Sequence, residues 1–139
     1  MNNLELRSIL EQYVAAMNAH DIERVLGFFT DDCVCEDVGI AVTCHGKSEL
    51  RDFFAANFSA VPDMKLDLKS SFVSGDSACT EWVLSGTHMA DFPGMPATGK
   101  PFSICMASVM NLGGGRILQN TDYADVAGLL RQLGLPIPQ

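Results

Sequence analysis

Four side chains of the types used in acid–base catalysis are spread along this 139-residue chain: Tyr13, Asp37, His88 and Asp122. A carboxylate enclosed by apolar groups has a raised pKa, so it can exchange protons near neutral pH. A phenol that projects into the same space can donate a hydrogen bond to an oxyanion. Together these groups are typical of acid–base catalysis. The alternatives are solvated acids at strand ends, a core tyrosine and a structural histidine.

A second set of residues has the spacing expected for the wall of an apolar pocket. Side chains two apart on a strand share a face, which places Met106, Ser108 and Met110 together. The same rule places Asn120 beside Asp122, in the company of Leu118. The predicted pocket residues are Trp82, Phe54, Phe58, Met106, Ser108, Met110, Asn120 and Phe92. Ordinary core packing is the alternative for this set.

The N-terminal half of the chain is predicted to carry Tyr13, Phe54 and Phe58 on helices. Apolar residues recur with helical spacing over Leu6–Met17. Asp21 can cap a second helix, which carries Phe29 on its inner face. Ser48 can cap a third helix, and Pro62 stops it.

Beyond Pro62 the apolar period changes to two, which indicates strands. On the first of them, Leu66, Leu68, Ser70 and Phe72 are expected to form one dry face. Helices followed by a strand meander predict an α+β fold, in which a curved, mostly antiparallel sheet wraps around the helices and encloses a cavity. The predicted strands are 33–38, 40–44, 66–72, 79–89, 102–112 and 116–125, with a short helix at 126–133. A loop over 91–101 carries Phe92 and Met95 and is a candidate lid.

The composition of the chain indicates which kinds of binding partner to expect. The length fits one domain, 1–139, and 47% of the residues are hydrophobic, which suits a pocket or a dimer interface. The net charge is −8 and the basic residues are scattered, so no nucleic-acid partner is expected. No stretch approaches the ~20 apolar residues of a membrane span, so no membrane association is expected.

The cysteines and glycines argue against metals, disulfides and nucleotide cofactors. The five cysteines include no CxxC and are not grouped with histidines at ligand spacing, so we expect small buried thiols in a reducing cytoplasm and no metal. The N-terminus lacks the basic and apolar segments of a signal peptide. Three consecutive glycines at 113–115 join two antiparallel strands and do not open a helix, so they do not hold a phosphate. No cofactor is expected.

The second half of the chain resembles SnoaL-like polyketide cyclases. The matching segments are Glu81–His88, which ends in Gly-Thr-His, the Gly94–Lys100 loop, Gly115-Arg116-Ile117 followed by Asp122, and Gly128-Leu129-Leu130. The resemblance implies that Asp122 is an acid/base residue. Asn120-Thr121 stand where that family usually has His-Trp.

The first half is more similar to ketosteroid isomerases, whose order is followed by Gln12-Tyr13, Asp21-Ile22-Glu23, Asp31-Asp32, Glu36-Asp37 and His45-Gly46. Tyr13 and Asp37, 24 residues apart, match the isomerase tyrosine and base. Ser108 takes the position of that family's second oxyanion donor, a protonated acid. Both families belong to the nuclear transport factor 2-like superfamily, which implies a cone-shaped half-barrel and commonly a homodimer.

The resemblance implies an acid/base enzyme that acts on a small hydrophobic carbonyl compound without a cofactor. Asp122 or Asp37 would remove a proton alpha to the carbonyl, and Tyr13, with His88 or Asn120, would hold the enolate oxygen. Intramolecular aldol ring closure is the leading expectation. The alternatives are a double-bond isomerase and a non-catalytic binding or dimerisation module.

Overall fold

A computed structural model of the chain describes residues 1–92 and 94–137. Pro93 of the candidate lid, and Pro138 and Gln139 of the predicted domain, lie outside the described residues. The elements follow the expected order of helices before long strands. They are α1 (Asn3–Asn18), α2 (Ile22–Leu26), β1 (Phe29–Asp37), β2 (Val42–His45), α3 (Gly46–Ala60), β3 (Lys65–Ser74), β4 (Ser77–Thr87), β5 (Pro101–Gly113), β6 (Arg116–Ala124) and α4 (Val126–Leu133).

The six strands form one open, curved sheet in the order β2-β1-β6-β5-β4-β3. Neighbouring strands are antiparallel except for β1 and β6, which run parallel. The predicted α+β class, with helices packed in a curved and mostly antiparallel sheet, is confirmed. The β1–β6 pair puts Asp37 directly opposite Asp122, and the β5–β6 pair puts Ser108 opposite Asp122.

Helices α1 and α3 cover one face of the sheet because each buries apolar side chains against a strand. Helix α1 packs against β3 and buries Leu6 and Leu10, while α3 packs against β1 and buries Leu50. Burial of each such leucine contributes about 1.5–3 kcal/mol. No helix in the described ranges has the length and hydropathy needed to span a membrane.

Two predicted helix boundaries need correction. Phe29 does not belong to the second helix, which ends at Leu26; it begins β1, where its side chain is still buried. Helix α3 begins at Gly46, before the predicted cap Ser48. His45 is the N-cap residue, and its side chain caps no N–H of the first turn; its own backbone N–H donates to the Glu49 side chain (3.0 Å).

Two bulges also shift side chains to the face opposite to the predicted one. A register shift between Leu68 and Ser70 breaks the expected dry face of β3, and Phe72 is 56% exposed. A second shift, between Asn111 and Leu112 on β5, leaves Ile117 buried and turns Leu118 outward. Leu118 therefore does not share a face with Asp122. In both cases the extra residue of a bulge reverses the alternation.

Candidate active site

An apolar cavity lies between the inner face of the sheet and the helices, with a volume of about 150 Å³. Its lining includes three of the four predicted catalytic residues and seven of the eight predicted pocket residues. They are Tyr13, Asp37 and Asp122, with Phe54, Trp82, Phe92, Met106, Ser108, Met110 and Asn120. Four of the six strands and helices α1 and α3 supply these ten side chains, apart from Phe92, which comes from the candidate lid.

Asp122 projects from β6 into this cavity. Its Oδ1 accepts hydrogen bonds from the Ser108 hydroxyl (2.5 Å) and from the Asn120 amide (2.9 Å). Burial raises the pKa of Asp122 to about 6, an effect opposed by the two hydrogen bonds and reinforced by the charge of Asp37. The carboxylate is thus mostly ionised at pH 7 and is more basic than an ordinary aspartate, as a general base requires.

Trp82 extends the hydrogen bonding behind Asp122. Its indole Nε1–H donates to the Ser108 hydroxyl oxygen over 3.0 Å. The two side chains are only 3% exposed, so this bond is closed to water. Trp82, Ser108 and Asp122 therefore form a continuous chain of hydrogen bonds that ends in the cavity.

Tyr13 reaches the cavity from α1. Its ring packs edge-on against Phe28 and Phe29 and lies 6.0 Å from the Trp82 ring, centroid to centroid. Burial and the nearby charge of Asp122 raise the pKa of the phenol far above its usual value, so it stays a proton donor at all working pH values. The described residues contain no hydrogen-bond partner for this hydroxyl, which leaves it available to a ligand.

Asp37 ends β1 and lies beside Asp122 across the parallel pair. Burial raises the pKa of its carboxyl group, and hydrogen bonds from the backbone of Ile40 and Gly39 oppose the rise. The Ile40 N–H lies 3.4 Å from its Oδ1. Two carboxyl groups with raised pKa values thus line one cavity.

The structure does not bring His88 or Phe58 to the cavity. Strand β4 ends at Thr87, so the alternation that aligned His88 with Trp82 stops one residue too early. The buried His88 ring stacks on Phe92 (5.5 Å between centroids), and its Nδ1 lies 3.3 Å from the Thr98 hydroxyl. Phe58 stacks on His20 instead, at 4.2 Å.

Cys35 and Cys44 are cavity residues that the sequence interpretation did not assign. The signal was present, because Cys35 lies two residues before Asp37 and so shares its face of β1. Burial raises the pKa values of both thiols, which argues against either as a nucleophile. All five cysteines are free; Cys33, Cys35 and Cys44 are buried as expected, whereas Cys105 is exposed.

The loop between β4 and β5 closes part of the cavity. Phe92 and Met95 exchange two backbone hydrogen bonds, each 2.9 Å long, and both side chains line the cavity. An apolar cavity of about 150 Å³ holds a molecule of roughly the size of benzene. A larger ligand therefore needs the cavity to widen. In the described part of the chain, no cluster of three His, Cys, Asp or Glu side chains is placed to hold a metal ion.

Comparison with known proteins identifies the family of this chain. Residues 7–133 match the family model of the SnoaL-like polyketide cyclase. The chain belongs to this family. Curated relatives include the aklanonic acid methyl ester cyclase DnrD of Streptomyces peucetius, 40% identical over 55 residues, and the nogalonic acid methyl ester cyclase of Streptomyces nogalater, 41% identical over 56 residues. Each match covers 40% of this chain, and 38% and 42% of those two relatives, respectively.

Solved structures extend the likeness of this SnoaL-like chain over its whole fold. TsrD from Streptomyces laurentii superposes with a TM-score of 0.85 at 26% identity, over 98% of this chain and 99% of that one. A protein of ketosteroid isomerase-like fold from Catenulispora acidiphila DSM 44928 gives a TM-score of 0.79 at 22% identity, over 92% and 93% of the two chains. The double resemblance predicted from the sequence is confirmed at the level of fold.

Proposed function

We propose that this chain is a polyketide cyclase that closes a ring by intramolecular aldol addition, with Asp122 as the general base. The observation that carries the proposal is a carboxylate in an apolar cavity, with one oxygen held by Ser108 and Asn120. The naming of two relatives as cyclases of polyketide methyl esters supports the same reaction. The apolar lining matches the hydrophobic character of the substrate expected from the sequence.

The reaction needs only groups that line the cavity. Asp122 takes a proton from a carbon alpha to a carbonyl, and the Tyr13 hydroxyl donates to the resulting enolate oxygen. The enolate carbon then bonds to a second carbonyl carbon of the same molecule, whose π electrons move to its oxygen. The proton held by Asp122 passes to that oxygen, which restores the base. The apolar wall folds the substrate and so lowers the entropic barrier to ring closure.

A double-bond isomerase is the second candidate, with Asp37 as the base and Tyr13 as the oxyanion donor. In its favour, Asp37 lines the cavity and burial raises its pKa. Against it, the Ser108 hydroxyl donates to Asp122 and so cannot also donate to an oxyanion. The candidate therefore lacks its second donor.

Separate Asp122→Asn and Asp37→Asn variants test the proposal in an assay of ring closure on a polyketide methyl ester. Asp122→Asn should lower kcat by about 10²–10⁴-fold, the usual contribution of a general base, and Asp37→Asn by much less. The reverse order, with turnover of an unsaturated ketone, would favour the isomerase. A wild type that binds the ester without converting it would favour the binding module.

We further propose that the protein is a cytoplasmic homodimer. Its support is the outer face of the sheet, where Val109 on β5 is 48% exposed and Tyr123 on β6 is 53% exposed. The five free thiols suit a reducing compartment. Light scattering of the purified protein should give twice the chain mass. The Val109→Lys variant should give a lower mass, because the charge disrupts the apolar face. A wild type that is monomeric at micromolar concentration would contradict the dimer.

A further inference from the structure

We propose that Trp82 is a positioning residue for Asp122. Its indole N–H directs the Ser108 proton onto one carboxylate oxygen, Oδ1, and so leaves the other oxygen, Oδ2, free to take the proton of the substrate. The role of Asp122 as the base rests on the function proposed above, whereas the hydrogen-bond chain itself does not.

The direction of each hydrogen bond follows from the donors available. An indole N–H can only donate, while a serine hydroxyl has one proton to give and two lone pairs to accept with. At 3.0 Å from the Trp82 nitrogen, the Ser108 oxygen must therefore be the acceptor. Its own proton is then left for Asp122 Oδ1, 2.5 Å away. Without the indole, the hydroxyl could rotate to other acceptors.

The sheet fixes this arrangement. Trp82 lies opposite Met106, and Ser108 lies opposite Asp122, so the indole reaches Ser108 diagonally across β4 and β5 on the inner face. Diagonal neighbours on a sheet are within reach of a large aromatic side chain. Since both Trp82 and Ser108 are 3% exposed, bulk water cannot replace the indole as a donor.

The two oxygens of Asp122 consequently have different roles. The Asn120 amide donates to the same oxygen as Ser108, at 2.9 Å. Within the described ranges, nothing donates to Oδ2, so this atom keeps its lone pairs for the substrate. The three other titratable groups that affect or face Asp122 are Tyr13 on α1 and Cys35 and Asp37 on β1. Burial raises the pKa values of Tyr13 and Cys35 enough to keep them neutral.

The first test needs no substrate. Trp82 is the single tryptophan of the chain, so an ¹⁵N-labelled sample gives one indole N–H signal. Its shift should titrate near pH 6 in the wild type, with Asp122. This pH-dependent change in chemical shift should vanish in Asp122→Asn and become much smaller in Ser108→Ala. A flat wild-type titration, or an inflection that survives in Asp122→Asn, would overturn the inference.

The second test is the pH profile of kcat/KM. Trp82→Phe keeps an aromatic ring in the core but removes the N–H. Since a lost donor destabilises the ionised carboxylate, the acid limb should move to higher pH, by roughly one unit in Ser108→Ala and by less in Trp82→Phe. In a Ser108→Ala background, Trp82→Phe should add no further shift. An independent, additive shift would contradict the chain of hydrogen bonds.

Phe54→Leu is the matched control. It alters another aromatic wall of the cavity that has no link to Asp122, so it should change KM without moving the acid limb. The two proposals fail separately. Full ring closure by Asp122→Asn would refute the base and leave the indole titration intact, whereas a flat titration with an inactive Asp122→Asn would refute only the role of Trp82.

Discussion

Replacing Asp122 by asparagine should stabilise the protein at neutral pH while it removes the proposed base. The amide keeps an oxygen that can accept from Ser108 and Asn120, so the hydrogen bonds and the shape of the site persist. What disappears is a carboxylate whose charged form is disfavoured by burial. The buried negative charge lowers the free energy of unfolding of the wild type, and the variant lacks this charge.

The magnitude follows from the pKa. Folding raises the pKa of Asp122 from the ordinary 3.8 to about 6. Each pKa unit corresponds to about 1.4 kcal/mol. The folded state therefore binds more protons than the unfolded state between these values, and stability falls as the pH rises through this window. The cost is absent below pH 3.8, complete above about pH 6, and at most about 3 kcal/mol.

Urea unfolding at several pH values between 4 and 7.5 measures this difference. The free energy of unfolding of Asp122→Asn, minus that of the wild type, should grow by up to about 3 kcal/mol from the acid to the neutral end. Glu11→Gln makes the same carboxylate-to-amide change at an exposed position on α1 and is the matched control. A difference that stays constant with pH, or that shrinks, would refute the assigned environment of Asp122.

Three further variants test the electrostatics of the site and the packing around it. Asp37→Asn should move the acid limb of kcat/KM to lower pH, because the charge of Asp37 raises the pKa of Asp122; a shift to higher pH would contradict it. Gly39→Ala should cost about 1–3 kcal/mol in unfolding experiments, since a new Cβ would overlap the Cγ2 of Val126, and Val126→Ala should relieve part of that cost. Phe54→Ala should cost about 3–5 kcal/mol in the same assay, because it empties a buried site in the core.

Much of the site could be predicted from the sequence. The helical period placed Tyr13 on the inner stripe of α1, and alternation placed Met106, Ser108 and Met110 on one face of β5. Both patterns indicate which side of a helix or strand is buried, and this is enough to identify residues that line the cavity. The motif around Asp122 supplied the most informative carboxylate.

The rest depended on information that local patterns do not carry. Alternation cannot locate a bulge, so it predicts that Leu118 faces inward, whereas the side chain points outward. It also cannot tell where a strand stops, so it predicts a pocket position for His88, although β4 ends at Thr87. The bond from Trp82 to Ser108 joins two strands across a diagonal, and the cross-strand register that creates it exists only in the folded sheet.

Hydrogen–deuterium exchange at the alpha carbon of a bound polyketide methyl ester tests the central claim most directly, because it isolates the step assigned to Asp122. In D₂O at pH 7, the wild type should exchange this hydrogen, as detected by mass spectrometry, and Asp122→Asn should exchange it about 10²–10⁴-fold more slowly. Equal exchange rates in the two proteins, with the ester bound equally well, would contradict the account.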